Sequence, residues 1–459
     1  MSFYTKLVSG ALFPLHERLK RHDSTAMRRR LERSQWWSRE AIEADQLQRL
    51  RLFLVDIGTH VPYYQELFAR LQFKPAQLQS LADLGALPLL TKASIRAAGN
   101  TLLASNHGPV SRYNTGGSSG EPLIFYIGKQ RKSHDVASKW RATRWWGVDI
   151  GDPEAVVWGS PIELGGQDRV KQVRDALFRT WLLPAFEMDD KRLDGFLAII
   201  RHRRPTMLFG YPSALSLMAQ HAVKRGLVMN ALGIKVVFVT SERLYDHQRE
   251  LIERVFGCPV ANGYGGRDAG FIAHQCPAGS MHITAEDIVV ELVDGQGKPV
   301  RPGELGEVVV THLATRDFPF VRYRTGDMAV AEEAPCACGR GLPRLKEIQG
   351  RSTDFVVAAD GTVMHGLALI YVVRDLPGVG RFRVVQHTLQ RTQVQLEAEP
   401  GHDVSLHFST IQAAFKRRLG AHVDVDVSVV DRLDNEKSGK FRYVVSHVAV
   451  AGQAATATP

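Results

Sequence analysis

Between residues 155 and 262 short apolar runs alternate with helical stretches, and this alternation restricts the possible folds more than any other feature. Ala155-Val156-Val157-Trp158-Gly159 and Lys235-Val236-Val237-Phe238-Val239 read as strands, Met207-Leu208-Phe209-Gly210-Tyr211-Pro212 as a strand into a turn, and Pro259-Val260-Ala261-Asn262 leads into the last loop. The spacing predicts helices over Leu193–Arg201, Ser213–Arg225 and Asp246–Phe256. Strands alternating with helices in this way imply a largely parallel sheet covered by helices. In such sheets ligands bind where strands end in loops. Three polar or glycine-rich loops lie at or near such ends: Thr115–Pro122, Thr240-Ser241-Glu242 and Gly263–Gly270.

The first of these, Thr115-Gly116-Gly117-Ser118-Ser119-Gly120-Glu121-Pro122, holds three glycines and three hydroxyls in six residues and cannot pack a core. Glycine permits close backbone approach to a ligand, and freed N–H groups with hydroxyls form a cradle for phosphate oxygens. A plain turn between two strands fits the same residues. No Gly-Lys-Ser/Thr follows, so it is not a Walker A loop, and its glycine spacing is not that of a dinucleotide fingerprint.

Residues 1–100 read as a helical lead-in, with Leu47, Leu50, Phe53, Leu54 and Ile57 on one face. A helix over His134–Trp146 carries three tryptophans. From Ile283 onward short strands around the turn Asp294–Gly297 predict antiparallel hairpins. After Gly350-Arg351 a small α+β unit begins, with strands near 355–358, 381–387, 392–398 and 424–430 and a helix at 408–419. The expected fold is α/β: a large domain over 1–350 with helix-covered sheets and a β-rich part, and a small, mobile α+β domain over 351–449. Residues 450–459 are expected to be a disordered tail.

At 459 residues the chain can build two or three cores. No apolar run reaches the ~18–20 residues that cross a bilayer. The patch Leu7–Leu15 is broken by Ser9, Gly10 and Pro14, so a signal peptide is not expected, and a cytoplasmic location is. Net charge is +10, and residues 1–51 hold eleven Lys/Arg against six Asp/Glu. The run Arg28-Arg29-Arg30 could face nucleic acid or an anionic membrane. Interleaved glutamates favour instead a solvated helical face that packs Leu31, Trp36, Trp37, Ile42, Leu47 and Leu50 inward, and no nucleic-acid partner is expected. The sequence is compatible with a homodimer and does not specify one.

Together these signatures resemble the adenylate-forming (acyl-AMP) ligase superfamily, in the branch of phenylacetate–CoA ligase, coenzyme F390 synthetase and CapK-type capsule-biosynthesis proteins. The resemblance runs from His60-Val61-Pro62-Tyr63-Tyr64 to Ser438-Gly439-Lys440 and rests on six motifs in order. It implies that Thr115, Gly116, Gly117, Ser118, Ser119 and Gly120 form the phosphate-binding loop, with Glu121 where many members carry lysine. It implies that the backbone of Ser241 and Glu242 meets adenine. Tyr264-Gly265-Gly266-Arg267-Asp268 matches the Tyr-Gly-x-Thr-Glu motif: Tyr264 would stack on adenine and Asp268, replacing glutamate, would hold Mg²⁺. Arg267 replaces a hydroxyl residue. Asp327 of Tyr323-Arg324-Thr325-Gly326-Asp327 would bind both ribose hydroxyls, and Arg351 matches the arginine at the domain hinge. The hinge itself falls on Thr353, beside Asp354, where aspartate or lysine is commoner. Lys440 matches the C-terminal catalytic lysine.

Among the four cysteines, Cys276, Cys336 and Cys338, with His282, make a Cys₃His set suited to a structural zinc ion. His274 competes as a ligand, and Cys258 reads as core. The resemblance implies ATP, Mg²⁺ and, as acceptor, coenzyme A, with a small carboxylic acid as substrate. Transfer to an amine or sugar, adenylation of a phenol, and a non-catalytic zinc-stabilised scaffold are the rival readings. Trp140, Trp145, Trp158, Phe209, Tyr211 and Tyr264 are candidates to line the acyl pocket, although core packing is the commoner fate of such residues.

Overall fold

The computed structural model describes residues 2–114, 123–158, 169–185, 190–351, 355–360, 363–365, 367–373, 376–434 and 443–448. Two compact units emerge: residues 1–293, 299–325 and 329–348 form the first, and 294–298, 326–328 and 349–459 the second.

β1 (Ser111–Asn114) and β2 (Ile124–Ile127) form an antiparallel pair that flanks the glycine/serine loop. The main sheet is built from β3 (Glu154–Trp158), β4 (Thr180–Pro184), β5 (Met207–Gly210), β6 (Val236–Thr240), β7 (Val260–Gly266), β8 (Gly270–Gln275), β9 (Met281–Ile283), β10 (Ile288–Val293), β11 (Leu305–His312), β12 (Tyr323–Glu332) and β13 (Arg344–Arg351). Its order is β10-β11-β12-β13-β9-β8-β7-β6-β5-β3-β4. The segment β4-β3-β5-β6-β7 is parallel, whereas β7-β8, β8-β9, β9-β13 and β10-β11 are antiparallel. The expected parallel and β-rich parts are thus one continuous eleven-stranded sheet. Strand β4 and the helix Arg169–Leu177 before it carried no clear pattern in the sequence.

β6 shows why the parallel strands read as unbroken apolar runs. Val237 and Val239 pack with the helices Asp190–Arg203, Pro212–Lys224 and Asp246–Phe256, while Val236 and Phe238 pack on the other face with Phe209 and Ala142. Both faces are covered, so Val236 to Val239 form an unbroken apolar run before the strand ends at Thr240. The lead-in helices Arg39–His60 and Pro62–Leu71 bury Leu50, Phe53, Leu54, Ile57, Tyr64 and Phe68 in a shared core with Tyr323 and Phe320.

The N-terminal arginines do not form a simple solvated face. Arg30 and Arg49 both ion-pair with Asp287, which is fully buried, and Arg28 pairs with Glu32. A buried carboxylate requires such partners to offset its desolvation. Arg141 and Glu286 form a second buried pair at 2.5 Å, completed by Ser34, whose hydroxyl donates to Glu286 at 2.8 Å. Trp36 and Trp37, expected inside, are 54% and 42% exposed, whereas Leu31, Ile42 and Leu50 are buried as expected.

In the second unit, β14 (Phe355–Val357) pairs with β15 (Val363–His365). A second sheet has the order β18-β17-β16-β19, from β16 (Val379–Thr388), β17 (Arg391–Ala398), β18 (Asp424–Val429) and β19 (Val444–Ser446). The helix Phe408–Leu419 buries Ile411, Phe415 and Leu419. No described helix is long and apolar enough to cross a membrane.

Candidate active site and cysteine–histidine cluster

The parallel strands bring their carboxyl ends to one edge. Thr240, the last residue of β6, pairs with Gly263 of β7, so Ser241, just past β6, follows on beside Tyr264 of β7. Ser241 has φ +71°, a left-handed conformation uncommon for a residue with a Cβ and frequent at functional turns. β7 then turns into β8 through a tight hairpin with Gly266 opposite Gly270. Gly265 is required there, since a Cβ would come 2.1 Å from the Gly270 carbonyl oxygen. Tyr264 is 9% exposed.

Asp268 sits at the tip of this hairpin. Its Oδ2 accepts a hydrogen bond from the Tyr323 hydroxyl at 2.7 Å, and its Oδ1 accepts from the Ala269 amide at 3.0 Å. Below the hairpin, Arg131 of the helix Lys129–Trp145 is 2% exposed. Its Nε donates to both oxygens of Asp135 at 2.9 and 3.0 Å, and its Nη atoms donate to the carbonyls of Arg267 and Asp268 at 3.1 and 3.2 Å. One guanidinium thus fixes two consecutive peptide planes of the hairpin. The Arg267 side chain extends to Asn114, donating to its carbonyl at 3.2 Å. Asn114 is the residue immediately before Thr115.

His134, Asp135 and His312 also bring potential metal-ligating atoms within 4.8 Å of one another under the hairpin. Arg131 already pairs with the Asp135 carboxylate, and burial pushes His312 well below its usual range, so this group reads as packed support for the hairpin. Neither Arg131 nor the role of Tyr323 was legible in the sequence. Arg131 lies in an ordinary-looking helix, and Tyr323 was quoted only as the start of a motif.

Asp327 lies on β12 and Arg351 ends β13, both in the second unit. Thr115, Gly116, Gly117, Ser118, Ser119, Gly120 and Glu121, the hinge pair Thr353 and Asp354, and Lys440 lie outside the described residues.

The aromatic candidates for an acyl pocket separate. Trp158 and Tyr211 stack at 4.3 Å at the ends of β3 and β5. Trp140 instead packs edge-on against Phe13 and donates to Asp149, and Phe209 stacks on Phe238 in the core. Trp145 lies edge-on to His282, beside the cysteines.

Cys276, His282, Cys336 and Cys338 converge with their ligand atoms all within 4.8 Å. Two turns deliver them: Gly279 N–H to the Cys276 carbonyl at 2.8 Å, and Gly339 N–H to the Cys336 carbonyl at 3.0 Å. Cys276 Sγ and Cys336 Sγ are 3.7 Å apart, and Cys338 Sγ lies 3.2 Å from His282 Nε2. A tetrahedron with ~2.3 Å Zn–S bonds has S–S edges of about 3.8 Å, so the set fits zinc. His282 Nδ1 donates to the Leu342 carbonyl at 3.2 Å, which leaves the Nε2 lone pair facing the thiols. The Cys338 amide donates to Cys336 Sγ at 3.4 Å. Cys258 is buried in the apolar core and its thiol is pushed up to about 12 by that burial.

His274 is not part of this cluster. It stacks on Phe271 and lies against Phe238 and Trp145, with neither ring nitrogen hydrogen-bonded. Burial, reinforced by the charges of Arg141 and His134, lowers its pKa to about 3. Its role is positional: Gly263 pairs with His274, and His274 pairs with His282. The cluster is therefore two strands from Gly263, roughly 10 Å at ordinary strand spacing. Because the folded protein holds His274 neutral, the unfolded chain binds its proton more readily. Stability is complete above about pH 6.5 and is lost as pH falls toward 3, by several kcal/mol. A melting-temperature series should show this slope, and His274→Phe should flatten it.

The AMP-binding enzyme family matches residues 179–314, and the CapK C-terminal domain family matches residues 356–447. The two matches lie in the order of an AMP-binding enzyme followed by its C-terminal domain. Protein CapK of Staphylococcus aureus is 23% identical over 411 residues, covering 88% of this chain and 89% of its own. Phenylacetate-coenzyme A ligase of Thermus thermophilus is 24% identical, covering 79% and 83%. A crystal structure of 2-hydroxyisobutyryl-CoA ligase in the postadenylation state shares the fold, with a TM-score of 0.72 at 20% identity over 90% of this chain and 91% of that one. Over most of its length the chain is thus similar to the phenylacetate–CoA ligase and CapK branch of adenylate-forming enzymes, and it is an AMP-forming acid ligase.

Proposed function

We propose that this ligase activates a small carboxylic acid with ATP as an acyl-adenylate and then passes the acyl group to coenzyme A. The observation that carries this reading is the bond between Tyr323 and Asp268, together with that between Arg267 and Asn114. These contacts tie Tyr323 at the start of β12, the β7–β8 hairpin and Asn114 at the end of β1 together. Pre-set loops of this kind favour catalysis by positioning and charge neutralisation.

In this reading Thr115–Gly120 cradle the β- and γ-phosphates, Ser241, Glu242, Tyr264 and Gly265 meet adenine, and Asp327 takes the ribose hydroxyls. A carboxylate oxygen of the acid attacks the α-phosphorus, the bond to pyrophosphate breaks, and Lys440 neutralises the oxygens as charge redistributes. Asp268 offers a carboxylate suited to Mg²⁺, which would neutralise the departing pyrophosphate. The small domain, beginning near Arg351 and hinged at Thr353 and Asp354, would rotate between the two half-reactions.

Pyrophosphate exchange with Mg-ATP and a panel of aryl, hydroxy and fatty acids tests the first half-reaction, and coenzyme A addition tests the second. Tyr323→Phe should lower exchange about 10–100-fold, the worth of one hydrogen bond to a charged group, while the protein stays folded with a melting temperature only a few degrees lower. Unaltered exchange would contradict the bracing role of Tyr323. A second reading is favoured by the CapK matches over the C-terminal unit and most of the chain: transfer to an amine or sugar acceptor. An adenylate that forms normally but turns over only with such an acceptor would select it.

A further inference from the structure

The N-terminal helical arm presents a surface that the acyl-transfer chemistry does not use. Three consecutive segments, Phe3–Leu7, the π-helical turn Val8–Leu12 and Phe13–Leu19, run without a break. One side is fixed to the body. Val8 and Phe13 pack with Trp140, the Thr5 hydroxyl donates to Asp152 at 2.7 Å, and the Tyr4 hydroxyl donates to the Leu177 carbonyl at 2.8 Å. The opposite side exposes Phe3, Leu7, Leu15 and Leu19, at 85%, 42%, 56% and 76% of their surfaces. With exposed Ala11 these residues recur every four positions. The wider π turn takes up part of the drift that a four-residue repeat accumulates on a 3.6-residue helix, so they hold one stripe. Val173 and Leu177 of the adjoining helix Arg169–Leu177 are also exposed, at 60% and 49%.

Charge decides what such a stripe faces. Lys6, Arg18, Lys20 and Arg21 are all exposed on this arm. Glu17 is the only acid among residues 2–22, and it is buried and hydrogen-bonded by Ser24 and His22. A second copy of the chain would bring like charges together across a self-complementary interface. An anionic bilayer instead offers apolar depth to the leucines and headgroup charge to the flanking cations. We propose that the arm Phe3–Leu19 docks the protein peripherally on an anionic lipid surface, lying in the plane of the interface. The inference does not depend on which acid or acceptor the enzyme uses.

The test is flotation of the full-length protein with vesicles of phosphatidylcholine alone or mixed with phosphatidylglycerol. Binding should be confined to the anionic vesicles, and raising salt from ~0.1 to ~0.5 M should release the protein, since exposed charges are then screened. The double variant Leu15→Glu/Leu19→Glu should lose at least about tenfold in vesicle partitioning, because each acid removes apolar contact and repels the headgroups. Its melting temperature and pyrophosphate exchange should match those of the parent, which separates this result from any failure of the proposed chemistry. No association with anionic vesicles, or association that the double variant retains, overturns the proposal. So does a dimer in light scattering that the double variant dissolves, since a second copy would then occupy this face.

Discussion

Cys276→Ser is expected to empty the protein of zinc and to lower its melting temperature by roughly 10 °C or more. Structural zinc sites contribute about 10–16 kcal/mol of apparent binding free energy, and one kcal/mol moves the melting point of a mid-sized domain by about 2–4 °C. Even partial loss therefore registers clearly. Cys276 and the Cys336–Cys338 pair come from turns 60 residues apart in sequence, and His282 comes from β9, where it pairs with Arg344 of β13. Arg340 stacks over Trp36 and Trp145 on the same side, and Gln35 accepts from Trp145 and Arg340, so the lead-in helices close over the cluster. Elemental analysis should find about one zinc per parent chain and none in the variant. Cys258→Ser, in the apolar core away from the cluster, should retain the metal. A metal-free parent protein, or a variant as stable as the parent, would remove zinc from the account.

Lys440→Ala is expected to lower adenylate formation by about 10²–10³-fold, the usual cost of deleting one preorganised charge partner of a transition state. Thioester formation from a preformed acyl-adenylate should survive, because the proposed rotation of the small domain takes Lys440 out of the site before that step. The comparison needs both half-reactions: pyrophosphate exchange for the first, coenzyme A capture of supplied adenylate for the second. Equal loss in both would assign Lys440 to general positioning of the small domain rather than to the first transition state.

The parallel strands were legible because burial on both faces forces unbroken apolar runs, as at Val236–Val239. The helix Asp246–Phe256 was legible to the residue, since it is strongly amphipathic and ends at Gly257 in the left-handed region. β4 was not, because its edge position leaves Trp181 and Leu182 only half-buried, next to a polar helix. Trp36 and Trp37 misled: Trp36 lies under the Arg340 guanidinium rather than in the core, and Trp37 stays 42% exposed. At the site, the sequence offered the motif residues one by one, and the structure brings the Cys₃His set together. What the sequence concealed was support from distant positions, namely Arg131 under the hairpin and Tyr323 on Asp268. Such partners depend on sheet order, and no local pattern records it.

The most direct measurement of the central claim is a crystal structure of the full chain with Mg²⁺ and a non-hydrolysable ATP analogue. The account predicts adenine against Tyr264 and the Ser241–Glu242 backbone, the ribose on Asp327, and the phosphates over Ser118 near Asp268. A nucleotide bound away from these residues, or none at concentrations that saturate pyrophosphate exchange, would contradict it.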